Sequence, residues 1–73
     1  MTAEEDQETK NRFGQCLKAV RQRLGYSQEG LALASGLDRS YIGGVERGER
    51  NISLLNIEKL AKTLNISPRE FFE

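Results

Sequence analysis

Seventy-three residues make one domain, near the lower size at which a chain folds without a metal or disulfides. A single cysteine, Cys16, and no histidine exclude an intrachain disulfide and a structural zinc site, so the fold must rest on packed helices, on burial against a second copy, or on both. Eleven basic residues balance eleven acidic ones, but Glu4, Glu5, Asp6 and Glu8 sit together; without those four the chain carries +4, an excess that one face can concentrate.

In chain order, residues 1–8 read as an acidic, frayed and solvated head, separate from a helical domain over 9–73. The alternative for the head is that it repels DNA or docks on another protein. From Thr9 the chain is periodic: Phe13, Leu17, Val20 and Leu24 recur at spacings of 4, 3 and 4 and line one helix face, with Gly25 as the C-terminal cap. Ser27 is an N-cap for a second helix, with Glu29 in its first turn and an end near Ser35-Gly36. Asp38 caps a third helix holding Tyr41, Ile42 and Val45, which Gly48 ends. Ser53 caps a fourth, where Leu54, Ile57, Leu60, Ala61 and Leu64 form an apolar stripe. Ser67-Pro68-Arg69-Glu70 combines a capping serine, proline at the first helical position and glutamate at the third, ahead of Phe71 and Phe72. No strand-like alternation and no repeat is present. The expected fold is all-α, a compact bundle of about five short helices.

The stretch from Gln28 to Arg47 carries the function. Two short helices flank Ser35-Gly36-Leu37-Asp38, the connection length of a helix-turn-helix. Ala32 is small where the helices cross, and Gly36 takes the positive φ of the turn without strain. Leu31, Leu37, Ile42 and Val45 are spaced to face inward. The outer face of the third helix is then free for the major groove, which admits one α-helix.

With these offsets in place, the sequence resembles the Cro/repressor class of helix-turn-helix regulators, the lambda repressor-like domain, over residues of about 10 to 73. The resemblance rests on Leu24-Gly25-Tyr26-Ser27-Gln28-Glu29, on Ser35 to Ile42, and on Val45-Glu46-Arg47-Gly48-Glu49-Arg50-Asn51. Within that class, Asn51 to Leu60 is similar to the short controller proteins of restriction-modification systems. The resemblance implies a sequence-specific regulator that binds duplex DNA, often at its own promoter.

Resemblance and geometry assign roles together. Arg39 and Ser40, at the N-terminal end of the third helix, are the leading base-reading residues, since arginine gives bidentate hydrogen bonds to guanine. The bland alternative for Arg39 is an exposed arginine beside Asp38. Gly43 and Gly44 each cost a helix interior roughly 1 kcal/mol against alanine. They are read either as bare backbone approaching base pairs or as a close packing contact. Gln28, Arg47, Arg50 and Asn51 are phosphate candidates, with Arg23 a weaker one. Tyr41 either supports the scaffold or touches the DNA backbone. The resemblance pairs Arg21 with Glu46 as a structural ion pair.

Leu55 falls on the charged side of the fourth helix, about 100° from Leu54. One of Phe71 and Phe72 is expected to close the core. The other, with Leu55 and Ile52, is the expected two-fold contact of a homodimer reading a near-palindrome.

Other classes find less support. No glycine-rich phosphate loop follows a strand, and no nucleophile-base pair is present, so an enzyme is not expected. Cys16 reads as a small packed side chain. No cofactor, metal or small-molecule ligand is expected, because the chain has no room for a separate ligand-binding domain. The lone cysteine, with no signal-peptide or membrane-length apolar segment, fits the cytoplasm. The rival function is a protein-interaction module of the same fold that does not bind DNA.

Overall fold

A computed structural model describes residues 2–73. Four α-helices and one 3-10 helix follow one another, with no strand among the described residues: α1 (Ala3–Arg23), α2 (Gln28–Ser35), α3 (Arg39–Glu46), α4 (Leu54–Leu64) and a terminal 3-10 helix (Pro68–Phe72). Each helix starts where a short polar side chain accepts a first-turn N–H: Ser27 from Gly30, Asp38 from Ser40, Ser53 from Asn56 and Ser67 from Arg69. Those bonds supply partners for amides that the helix itself leaves unpaired.

The acidic head differs from expectation. Met1 lies outside the described residues, but Ala3 to Glu8 continue α1 without a break. Thr2 accepts from the Glu5 amide at 3.1 Å and its own amide donates to the Glu5 carboxylate at 2.9 Å, a reciprocal capping box. The Thr2 amide and hydroxyl thereby hold the Glu5 carboxyl below its usual range. Glu4, Glu5 and Asp6 also occupy the first turn, where the helix dipole favours negative charge. Composition argued for disorder; the cap and the dipole favour a helix.

One core joins every element. Phe13, Leu17 and Val20 from α1 meet Leu31 and Ala32 from α2, Ile42 and Val45 from α3, and Leu60, Ala61 and Leu64 from α4. Phe71 is 0 % exposed, its ring 5.3 Å from that of Phe13, so the terminal 3-10 helix closes the bundle. Phe71 therefore leaves the set of expected dimer contacts. Phe72 stays exposed, while its ring packs T-shaped with that of Phe13, centroids 5.4 Å apart. Two apolar positions also differ: Leu24 is a half-exposed helix cap, and Leu54 is 75 % exposed. Leu54 is the first residue of α4, where the helix begins outside the bundle before its stripe turns inward at Ile57. Glu70 does not complete a capping box; its carboxylate accepts from Arg23 at 3.0 Å.

Where α1 crosses α3 the backbones nearly touch. A Cβ on Gly14 would lie 2.6 Å from the Glu46 carbonyl oxygen and closer still to that of Val45. Only a glycine fits there, and this contact fixes how α3 sits against α1.

Candidate nucleic-acid interface

The three-residue link Gly36-Leu37-Asp38 sets α3 across α2. Gly36 takes the left-handed conformation, φ 77°, and the Ser35 hydroxyl accepts from the Leu37 amide at 3.2 Å. Ile42, Val45 and Glu46 then face inward and are buried, Gly43 and Gly44 are buried as well, and Arg39, Ser40 and Arg47 are exposed. This is the disposition the spacing predicted for a recognition helix.

Arg39 and Ser40 stand exposed at the start of that helix. The Asp38 carboxylate is occupied by the Ser40 amide at 3.1 Å, and Arg39 makes no ion pair or side-chain hydrogen bond among the described residues. An unpaired, solvated guanidinium at the leading end of α3 is chemically free to take a guanine edge.

The glycines are not bare. At Gly43 a Cβ would meet the Arg47 guanidinium at 3.0 Å and the Gln28 amide at 3.6 Å; at Gly44 it would meet the Arg50 stem at 2.9 Å. Neither presents open backbone, which corrects their reading as direct base contacts. They serve as seats for Arg47, Gln28 and Arg50. Arg50 continues from Gly44 to lie 5.9 Å over the Tyr41 ring, a cation–π contact. The Tyr41 hydroxyl accepts from Asn56 at 3.1 Å. Tyr41 thus belongs to the scaffold, as the half-buried platform that aims Arg50.

Beneath the outer face lies the buried pair. Arg21 grips Glu46 with two bonds, Nε to Oε2 at 2.6 Å and Nη2 to Oε1 at 3.0 Å, and its Nη1 donates to the Tyr26 carbonyl at 2.8 Å. The hydrogen bond to Glu46 raises the already high pKa of Arg21, against the opposing effect of burial. Gln28 joins the same carboxylate through Nε2 at 3.0 Å. That bond turns the Gln28 amide nitrogen inward and corrects its assignment as a side-chain phosphate contact.

Around the far end of α3, Arg47 pairs with Glu49 in solvent at 3.0 Å. Hydrogen bonding to Arg47 holds the Glu49 carboxyl below its ordinary value, so Glu49 competes with a phosphate for the Nε and Nη2 donors of that guanidinium and leaves Nη1 without a hydrogen bond among the described residues. Asn51 is exposed. Arg23 is tied to Glu70 beside the terminal 3-10 helix, which weakens its standing as a phosphate contact. The sequence reading passed over Gln7, Asn11 and Asn56, which hold the neighbours of these residues. Gly14 had a signal, a glycine inside a helical stripe, that periodicity alone ignored.

The described residues contain no group of three or more potential metal ligands and no helix long and apolar enough to cross a membrane.

A capped helix pair joined by a left-handed glycine, presenting an open arginine at the leading end of its second member, defines a helix-turn-helix protein. Residues 17–71 match the helix-turn-helix family model, and the chain belongs to that family. It is 44 % identical over 62 residues to the control protein C.BamHI of Bacillus amyloliquefaciens, covering 84 % of this chain and 76 % of that one. Among solved structures it resembles the restriction-modification controller protein C.AhdI of Aeromonas hydrophila. That match has 60 % identity and a TM-score of 0.86, over 89 % of this chain and 98 % of the other. It also resembles the controller protein C.Esp1396I, solved as a tetramer with its natural 35 base-pair operator. There the identity is 38 % and the TM-score 0.78, over 86 % and 83 % of the two chains.

Proposed function

We propose that this chain is a sequence-specific regulator that binds a near-palindromic operator as a homodimer, controls a restriction-modification system and acts on its own promoter. The observation that carries the reading is the exposed, unpaired Arg39 at the leading end of a recognition helix locked from behind by Arg21, Glu46 and Gln28. The similarity to controller proteins, one of them seen on its operator, supports the class of target. The role is binding in the cytoplasm, with no catalytic step.

The two-fold contact is assigned to Leu55, 78 % exposed, with its neighbour Leu54 and with Phe72. Ile52 is half-buried and lines one cleft with Phe72. Large exposed apolar side chains at the helix start and at the chain end are suited to burial against a second copy. Leu55→Glu is expected to lower the dimer fraction in sedimentation and weaken operator binding in parallel. A dimeric, fully binding variant would remove Leu55 from the interface.

The direct test is selection of duplexes from a random library by the purified protein at near-physiological salt. Enrichment of a symmetric site with half-sites about one helical turn apart, roughly 34 Å, is the expected result. On that site Arg39→Ala should cost about 1–3 kcal/mol and relax preference at one base pair of each half-site. If the folded dimer enriches no motif, DNA reading fails and a protein partner becomes the target.

A further inference from the structure

The loop after α3 carries Arg47, Arg50 and Asn51, and its course is set by an element that plays no part in the helix-turn-helix itself. Gly48 takes φ 77°. Its amide donates to the Val45 carbonyl at 3.0 Å, and the Glu49 amide donates to that of Gly44 at 2.8 Å, a glycine closure that satisfies the last carbonyls of α3. The carbonyl of Gly48 itself accepts from Gln7 Nε2 at 2.8 Å, forty-one residues away in sequence. The same Nε2 donates to Asn11 Oδ1 at 2.9 Å, one turn further along α1. The Asn11 amide in turn lies against Gly48, in the space a Cβ there would take. Asp6, Thr9, Lys10 and Asn51 line a hollow alongside.

Two other side-chain ties on this loop are solvent-exposed: the Arg47–Glu49 pair and Arg50 over Tyr41. Both use the side chains that DNA would engage. The Gln7 bond instead is a part-buried side-chain tie to the loop backbone, added to the glycine closure, and leaves those side chains free. Residues 3–11 are therefore a strut against the loop, and their acidic side chains are solvated while one glutamine reaches across.

We propose that Gln7, itself oriented by Asn11, is a positioning residue for DNA binding: it holds the Gly48 carbonyl and so sets Arg47, Arg50 and Asn51 in register with the phosphate backbone. The role rests on the DNA-binding reading above.

Gln7→Met keeps the length of the side chain and removes its donors; Gln15→Met, at an exposed site on the same helix, is the matched control. Binding of the full chain to a labelled random-sequence duplex is followed across a salt series, with amide exchange of Glu49 to Asn51 in the free protein. Gln7→Met is expected to bind roughly tenfold more weakly at low salt and to flatten the log K against log[salt] slope by about 1–2, as one or two phosphate contacts are lost. The loop amides are expected to exchange at least several-fold faster, and Gln15→Met to match the wild type on both counts. A general loss of stability would lower the bound fraction and leave the slope unchanged. A Gln7→Met line parallel to a normally binding wild type, or loop exchange equal to wild type, overturns this role alone. A wild type with no salt-dependent binding overturns the DNA reading, and this role with it.

Discussion

Gly14→Ala is expected to destabilise the protein by about 2–4 kcal/mol, because the added methyl would overlap two carbonyl groups of α3. The intrinsic preference of a helix for alanine acts the other way by roughly 1 kcal/mol and is too small to prevail. The obstacle is backbone, which cannot rotate aside as a side chain would. Relief therefore requires α3 to move away from α1, opening the core at Val45. For a chain of this size the loss corresponds to a fall in Tm of roughly 10–25 °C, read by thermal unfolding at fixed protein concentration. Gln15→Ala, one residue along on the exposed side, should remain within about 0.5 kcal/mol of wild type. Equal stability of the two variants would show that the crossing is looser than the structure has it.

That crossing also shows what the sequence made legible and what it did not. Ser27, Asp38, Ser53 and Ser67 all cap helices as read, because capping is decided within three residues of the chain. Leu31, Ile42 and Val45 face inward as their offsets require. Thr2 and Glu5 carried an equally local signal, a T-x-x-E box, but the acid-rich composition around it pointed to disorder. Phe71 and Phe72 are adjacent and chemically identical, so only the rotation of the terminal 3-10 helix against Phe13 separates the core residue from the exposed one. Leu54 starts its helix, where a stripe extrapolated from Leu60 and Leu64 no longer has a bundle to face. Gln7 to Gly48 lies beyond any periodic argument. The base-reading glycines failed for a similar reason: what covers Gly44 is Arg50, whose course depends on the Tyr41 ring and on Asn56 behind it.

Removing Glu46 is expected to have the largest effect of any single truncation at the buried pair. Glu46→Ala would leave the Arg21 guanidinium, 7 % exposed along its side chain, with the Tyr26 carbonyl as its remaining acceptor, and would release Gln28 as well. Breaking one side of a buried pair costs about 3–5 kcal/mol, a large share of the roughly 4–11 kcal/mol that a domain of this length holds. Urea unfolding should show a much lower midpoint with an unchanged m-value. The double variant Arg21→Met with Glu46→Leu separates two roles that the single variant confounds. Apolar replacements of similar volume remove the desolvation penalty together with the attraction, and stability is expected to return to within about 1–2 kcal/mol of wild type. Operator affinity should not return with it, since the Arg21–Glu46–Gln28 network that joins α1, α2 and the recognition helix is gone. Recovery of stability without recovery of affinity would establish that the network orients the DNA-reading helix. Recovery of both would reduce it to an ion pair that any well-packed apolar pair can replace.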